Sequence, residues 1–145
     1  MNIAVFAGTF DPFTIGHKDI VERALPLFDH IVIGIGHNAD KHPIFPIDQR
    51  LQAVRNAFAD ETKVSVEIFD GLTVDFARKH HASYLLRGVR SAADFDYERT
   101  MADANKEIGN IETVILCARP EFAHISSSLV RDLYRHHYDI KTYIV

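Results

Sequence analysis

Short apolar runs alternate along the chain with segments whose apolar residues recur at helical spacing. The apolar runs are rich in β-branched residues and predict strands at Ile3–Ala7, His30–Gly36, Val64–Phe69, Ser83–Leu86 and Glu112–Cys117. The intervening and following segments predict helices at Lys18–Phe28, Asp48–Phe58, Thr73–His80, Ala92–Ile108 and Ser126–His136. Asp48 is the expected N-cap of the second helix, and serines cap the last one.

Strands that alternate with helices predict βαβ units and a parallel sheet covered by helices on both faces. Right-handed crossovers then give an α/β fold with a doubly wound sheet of about five strands. The chain has 145 residues, of which 47% are hydrophobic, so we expect a single domain spanning residues 1–145. Ligands of such sheets bind at the carboxyl ends of the strands, near the switch in strand order.

Charge and composition exclude several classes of partner. The formal net charge is −4, so a phosphate site must be local, and nucleic-acid binding is not expected. No apolar run approaches the ~18 residues of a membrane span, and the N-terminus lacks a signal-peptide pattern, so we expect no membrane association. The one cysteine, Cys117, lies in an apolar run that predicts a buried thiol and fits a reducing cytoplasm.

The most informative motif is GTFDPFTIGH at residues 8–17, directly after the first predicted strand. A strand, a turn of small residues and a helix N-terminus together form a place where phosphate approaches backbone N–H groups. Thr9 follows the strand, and Gly16 places His17 at the start of the helix, where its imidazole adds a hydrogen-bond donor. A mere turn with a surface histidine is the alternative, and the full string after a strand disfavours it.

Two later strings add further phosphate-binding candidates. Arg87 and Arg90 flank Gly88 at the end of the fourth predicted strand, and guanidinium groups suit bidentate phosphate binding. Three serines, Ser126 to Ser128, begin the last helix and offer hydroxyls and N–H groups to an anion. Solvated arginines and simple N-capping are the structural alternatives, although one serine would satisfy the cap.

Other polar residues carry little signal by themselves. Lys41 lies in the loop Asn38–Pro46, which is well placed to close over a site, and Asp11 is interpreted as a turn residue. The acidic string Asp94–Glu98 is typical of a solvated helix start. The remaining histidines lack metal-ligand spacing and are interpreted as surface or structural residues: His30, His37, His42, His80, His81, His124, His136 and His137.

Taken together, these strings resemble the phosphopantetheine adenylyltransferase family within the nucleotidylyltransferase superfamily. The resemblance covers nearly the whole chain and includes GTFDPFTIGH, LPLFDHIVIGIG, KHPIF, GLTVDFAR, LLRGVRSAADFDYE and HISSSLVRDL, in that order. It implies a Rossmann-like fold, Mg²⁺ held mainly through the ATP phosphates rather than by protein ligands, and a cytoplasmic homohexamer. It also implies reversible transfer of AMP from ATP to 4′-phosphopantetheine, with release of pyrophosphate and with coenzyme A as a feedback ligand.

The resemblance assigns roles residue by residue. His17 stands at the position that stabilises the transition state in the family, and it acts at the α-phosphate together with Lys41. The acceptor side comprises Thr9, Lys41, Thr73 and Arg87. The ATP side comprises Thr9, Phe10, His17, Gly88, Val89, Arg90, Glu98, Phe122, Ala123, His124, Ile125, Ser126, Ser127 and Ser128. Arg90 and the three serines hold the β- and γ-phosphates. The acceptor phosphate is already largely ionised near neutrality, so no general base is needed.

This sequence departs from the family pattern at two of these positions. Thr73 stands where relatives usually have an apolar residue, which bears on the packing of the pantetheine arm. His124 stands where an aromatic residue is usual, next to the adenine. Two other functions stay open: a transferase of the same fold acting on nicotinate mononucleotide or glycerol 3-phosphate, and a nucleotide sensor without activity.

Overall fold

The computed structural model describes residues 1–145 as a single sheet with helices on its two faces. The strands are β1 (Ile3–Gly8), β2 (His30–Gly36), β3 (Val64–Phe69), β4 (Tyr84–Val89) and β5 (Glu112–Cys117). The helices are α1 (Ile15–Ala24), α2 (Ile47–Ala57), α3 (Thr73–Lys79), α4 (Ala92–Gly109) and α5 (Ser127–Arg135). None of these helices combines the length and apolar character needed to cross a membrane.

The strand order is β3-β2-β1-β4-β5, and every neighbouring pair is parallel. The chain runs outward from β1 through β2 to β3, then returns to place β4 on the other side of β1. The predicted doubly wound, Rossmann-like sheet is therefore confirmed. The switch in strand order falls between β1 and β4, so the loops that follow these two strands diverge and leave a crevice between them.

The central strand buries side chains on both of its faces, as a nearly continuous apolar run requires. Ala4 and Phe6 belong to the larger core, with residues of α1 and α2, whereas Val5 and Ala7 pack against α3 on the opposite face. The alternation within β1 thus fixes which helix lies on which side of the sheet. Both loops that leave β1 and β4 are held by this doubly covered core.

Most element boundaries lie within one residue of the sequence prediction, and the larger differences concern α1, the cap of α2 and the end of β4. Helix α1 begins at Ile15 rather than Lys18, because Thr14 caps it, and it ends at Ala24 in a short 3₁₀ turn. Asp48 is not the N-cap of α2. Pro46 takes that position, and Asp48 lies in the first turn, where a carboxylate favours the helix dipole. Strand β4 continues to Val89, three residues beyond the prediction, through register pairs with β5.

Two expectations about burial were wrong. Cys117 is exposed, because it is the last residue of the edge strand β5. Glu98 is buried, with 7% of its surface exposed, although the acidic string around it predicted a solvated helix start. Its neighbours Phe95 and Tyr97 are exposed on α4, so the string does face water except at the one position that turns toward β4.

Candidate active site

A cavity of about 310 Å³ opens in the crevice between β1 and β4. It brings together residues that lie far apart in the sequence, at the ends of both strands and at the starts of α1 and α5. Most of the predicted ATP-side residues line it, with Arg87 beside them: Thr9, Phe10, His17, Gly88, Arg90, Phe122, Ile125, Ser126, Ser127 and Ser128.

A second cavity of about 350 Å³ adjoins the first along the carboxyl edge of the sheet. All of the predicted acceptor-side residues line it: Thr9, Lys41, Thr73 and Arg87. Thr9 and Arg87 border both cavities, so the two spaces meet at these side chains. The structure thus provides two neighbouring compartments that share a polar boundary.

Four predicted residues lie elsewhere. Glu98 lines the second cavity rather than the first. Val89 is buried at the end of β4, and Ala123 and His124 line neither cavity. His124 is exposed at the edge of the segment that precedes α5. Val89, Ala123 and His124 are thus chain neighbours of lining residues and form no part of the cavity walls.

The loop after β1 is held in an unusual conformation. Phe10 has a φ of 49°, in the left-handed region that a bulky residue seldom adopts. Its ring packs so closely on Gly8 that a Cβ there would lie 2.9 Å from a ring carbon. The buried ring thus fixes the direction in which the backbone of Thr9 passes the cavity, and glycine is required at position 8.

The buried side chains of Asp11 and Arg50 tie this loop to the loop that carries Lys41. The Asp11 carboxylate accepts the N–H groups of Ile44 and Phe45, each at 2.9 Å. Arg50 donates from Nε to the Phe45 carbonyl at 2.9 Å and from Nη1 to the Thr9 carbonyl at 2.7 Å. Burial lowers the pKa of Arg50, and the nearby Asp11 opposes that change. We call Asp11 and Arg50 the loop clamp.

His17 occupies the third position of α1 and closes a reciprocal cap with Thr14. The Thr14 hydroxyl accepts the His17 N–H at 3.2 Å, and His17 Nδ1 accepts the Thr14 N–H at 2.9 Å. An Nδ1 that accepts a hydrogen bond carries no proton, so the neutral ring carries its proton on Nε2. The cap therefore selects the tautomer, and the imidazole presents Nε2–H as a donor.

The surroundings of His17 keep it neutral. The rings of Phe6, Phe10 and Phe13 surround it, with centroids 6.2, 5.1 and 5.3 Å from its own. Burial among these rings, followed by the charges of Arg87 and Arg90, lowers its pKa from 6.5 to about 3. Near pH 7 the residue is thus a neutral donor, and it is a poor base.

The Arg87 side chain is held by three hydrogen bonds within the chain. Its Nε and Nη2 donate to the two carboxylate oxygens of Glu98, both at 2.8 Å, and its Nη1 donates to the Ala7 carbonyl at 2.6 Å. Each Nη atom retains one further N–H for another acceptor. Because a bidentate pair fixes the guanidinium plane, Glu98 positions Arg87 at the boundary of the two cavities.

The serines of the last helix have three separate partners. Ser126 caps α5 by accepting the Leu129 N–H at 3.0 Å, and Ser127 donates to the Pro12 carbonyl at 2.8 Å. Arg131 donates to Ser128 at 3.1 Å and to the Asp11 carbonyl at 3.0 Å. These bonds join the start of α5 to the loop after β1, and capping explains only one of them.

Sequence reasoning missed Arg50 and Arg131. Helical spacing could have pointed to both of them. Arg50 lies four residues before the buried Val54 on α2, and Arg131 lies three residues after Ser128 on α5. A helix places residues at these spacings on one face. Asp11, interpreted as a turn residue, in fact bonds a loop more than thirty positions away. No three His, Cys, Asp or Glu side chains converge on a possible metal position.

Comparison with known proteins identifies the class of the protein first. The model of the cytidylyltransferase-like family matches residues 5–133. A solved bifunctional NMN adenylyltransferase/ADP ribose pyrophosphatase from Francisella tularensis superposes with a TM-score of 0.71 at 20% identity. The match covers 99% of this chain and 44% of that one, and it supports the fold alone. The chain therefore belongs to the cytidylyltransferase-like family, and its fold is that of the nucleotidylyltransferases.

Relatives in sequence narrow the class further. The chain is 46% identical over 144 residues to the phosphopantetheine adenylyltransferase of Bacteroides fragilis. The aligned region covers 99% of this chain and 96% of that protein. It is 48% identical over 136 residues to the enzyme of the same name from Flavobacterium johnsoniae, covering 94% and 90%. The chain therefore belongs to the phosphopantetheine adenylyltransferase family, which confirms the predicted resemblance.

Proposed function

We propose that the protein transfers AMP from ATP to 4′-phosphopantetheine, giving dephospho-coenzyme A and pyrophosphate. The meeting of two cavities at Thr9 and Arg87 is the observation that carries this proposal, because adenylyl transfer needs two phosphate-bearing substrates in contact. An oxygen of the acceptor phosphate forms a bond to the α-phosphorus. The bond from that phosphorus to the α,β-bridging oxygen breaks, and pyrophosphate leaves with the electron pair.

ATP occupies the first cavity in this proposal. Arg90 and the start of α5 hold the β- and γ-phosphates, because the N–H groups there favour an anion. The rest of the ATP contact surface combines the Phe10 backbone, Gly88 and the segment from Phe122 to Ser128. Val89, Ala123 and His124, which border the site, contribute through backbone and loop shape.

The acceptor occupies the second cavity. Thr9 and Arg87 hold its phosphate at the boundary, and Lys41 approaches from the loop after β2. Thr73, at the start of α3, contacts the pantetheine arm, where its hydroxyl offers a polar contact. Glu98 acts through Arg87, whose guanidinium plane it fixes. We therefore assign Glu98 as a positioning residue rather than a direct ATP contact.

His17 donates a hydrogen bond from Nε2 to the α-phosphoryl group as charge builds there. Its low pKa suits this role, since a neutral ring keeps its proton and does not remove one. The acceptor phosphate supplies its own nucleophilic oxygen, because its second pKa of about 6 leaves it largely ionised at neutral pH. Positioning and charge stabilisation, rather than acid–base chemistry, account for the transfer.

Mg²⁺ fits this site as a partner of the substrates. The protein gathers no cluster of carboxylates or histidines for it, so phosphate oxygens would supply its ligands, as is common for this ion. When bound, the ion would neutralise charge on the phosphates. His17, Lys41 and Arg90 perform the positioning described above with their own side chains.

The test is a forward assay with ATP and 4′-phosphopantetheine, in which pyrophosphate is measured and dephospho-coenzyme A is identified by mass. Parallel reactions replace the acceptor with nicotinate mononucleotide or glycerol 3-phosphate. Faster turnover with either one would assign a different acceptor. ATP binding without pyrophosphate release from any acceptor would show a nucleotide sensor instead.

From the family resemblance, we further propose that the protein is a cytoplasmic homohexamer and that coenzyme A inhibits it by feedback. Light scattering coupled to gel filtration measures the number of subunits. Titration with coenzyme A during the forward assay measures inhibition, and competition with ATP or with the acceptor locates the ligand. A monomer insensitive to coenzyme A would remove both additions and leave the proposed reaction standing.

A further inference from the structure

A third cavity lies beside the first two and has a different chemical character. It has a volume of about 470 Å³, and only two of its 13 lining residues are hydrophobic. Thr9, Asp11 and Arg131 border it together with the first cavity, and Thr9 and Lys41 border it together with the second. It therefore opens directly onto the boundary where the two substrates meet.

The lining of this cavity carries a local excess of positive charge. Lys41, Arg50, Arg131 and Arg135 face it, and Asp11 is the one acidic residue among its walls. Arg50 and Arg131 donate to carbonyl and hydroxyl oxygens, and Asp11, which lies near Arg50, offsets only one of the four positive charges. The whole chain carries a net charge of −4, so this excess runs against the overall balance.

Arginines elsewhere in the structure mostly pair with acids. Carboxylates lie within ion-pair distance of Arg23, Arg78, Arg87, Arg90 and Arg119. By contrast, the three arginines of the third cavity form no ion pair with a carboxylate, and neither does Lys41. Unpaired cations that converge on one cavity suit a ligand with several negative charges.

The scarcity of apolar walls narrows the choice of ligand. Adenosine and the pantetheine arm both carry bulky groups that bind well only against apolar surface. Inorganic pyrophosphate carries no such group, and in the proposed reaction it leaves from the first cavity, which this cavity adjoins at Thr9, Asp11 and Arg131. We propose that the third cavity is a polyphosphate subsite that receives pyrophosphate after transfer, an inference that rests on the proposed function.

Arg135 offers the cleanest test because it is exposed on the last turn of α5 and its side chain forms no hydrogen bond or ion pair. Arg99 is a matched control, since it is an exposed arginine on α4 that lines none of the three cavities. Pyrophosphate, orthophosphate and 4′-phosphopantetheine are titrated separately into wild type, R135Q and R99Q by calorimetry. Thermal unfolding checks that both variants fold.

We expect R135Q to weaken pyrophosphate binding about five- to twentyfold, since it removes one charge-assisted contact. The KM for pyrophosphate in the reverse reaction rises by a similar factor, while the forward KM for ATP and for the acceptor stays within about twofold of wild type. Orthophosphate binds more weakly than pyrophosphate and is less affected. R99Q matches wild type in every titration.

Three results would overturn the proposal. One is equal pyrophosphate affinity in R135Q and R99Q. Another is an equal rise in the KM for ATP, which would place Arg135 at the ATP site. The third is an equal loss of 4′-phosphopantetheine affinity, which would make the cavity part of the acceptor site. If the forward assay releases no pyrophosphate but R135Q still weakens its binding, the proposed function fails and the anion subsite stands without its product role.

Discussion

Replacing His17 with glutamine separates the titration of this residue from its structural role. Glutamine at the third position of a helix still closes a capping box, yet it cannot ionise. In wild type, the pKa of His17 falls from 6.5 to about 3 on folding, so the folded protein binds fewer protons than the unfolded chain. Stability is therefore full above the unfolded pKa and declines as the pH falls from there toward the folded pKa.

The size of this effect follows from the shift. Each unit by which the pH lies below the unfolded pKa lowers the free energy of unfolding by about 1.4 kcal/mol. Lowering the pH from 7.5 to 5 therefore removes roughly 2 kcal/mol of stability. The His17 ring keeps some contact with solvent, so we expect about 1–2 kcal/mol. Protonation also places a hydrogen on Nδ1, which would face the Thr14 N–H and break the cap.

The assay compares wild type with H17Q in urea unfolding at pH 7.5 and pH 5, at one protein concentration and without ligand. Acid affects the other titrating groups of both proteins alike, so the difference between their losses isolates His17. Wild type should lose about 1–2 kcal/mol more than H17Q, or roughly 3–6 °C more in Tm.

Equal losses in the two proteins would refute the reasoning, because they would mean that His17 has the same pKa in the folded and unfolded chains. A smaller loss in wild type would mean that folding raises its pKa. Measuring the Nδ1 and Nε2 chemical shifts by ¹⁵N NMR gives the tautomer independently, and a protonated Nδ1 at neutral pH would contradict the cap geometry.

Three further substitutions probe the site. H17A should lower kcat about 10²–10³-fold with the circular dichroism spectrum unchanged, and a kcat within a few-fold of wild type would exclude the donor role. E98Q should raise the KM for the acceptor about tenfold and leave the KM for ATP within about twofold of wild type, because an amide holds Arg87 less firmly than a carboxylate does. Equal rises in both KM values would contradict the role of Glu98 in positioning Arg87 at the second cavity. R50K should lower kcat about tenfold and deprotect the amides of the loop that carries Lys41 in hydrogen exchange. R55K is its control, since Arg55 also lies on α2 and donates to a backbone carbonyl but lies away from the cavities. Equal kcat values in the two variants would refute a special role for Arg50.

Periodicity was enough to predict the sheet and its helices because apolar spacing reflects burial directly. All five strands begin within a residue of their predicted starts. The end of β4 was missed because Arg87 looks like the start of a loop by its charge alone. In the structure, its charge is satisfied by Glu98 and its backbone still pairs with β5. A long-range ion pair of this kind leaves no local trace in the sequence.

The sequence motifs predicted two of the segments that line the first cavity, the loop after β1 and the start of α5. The contacts that hold those segments together were not predictable, because they join distant parts of the chain. Asp11 looked like a turn residue, and its two partners lie in another loop. Cys117 was predicted to be buried because an apolar run cannot reveal that its strand lies at the edge of the sheet.

The bonds from α5 to the loop after β1 have a consequence for the order of events on the ribosome. Ser127 reaches back 115 positions to Pro12, and Arg131 reaches back 120 positions to Asp11. Translation proceeds at about 5–20 residues per second, so these partners are synthesised roughly 6–25 s after the loop. A nascent chain that stops before α5 therefore lacks one wall of its first cavity, and that cavity is complete only after α5 has been made.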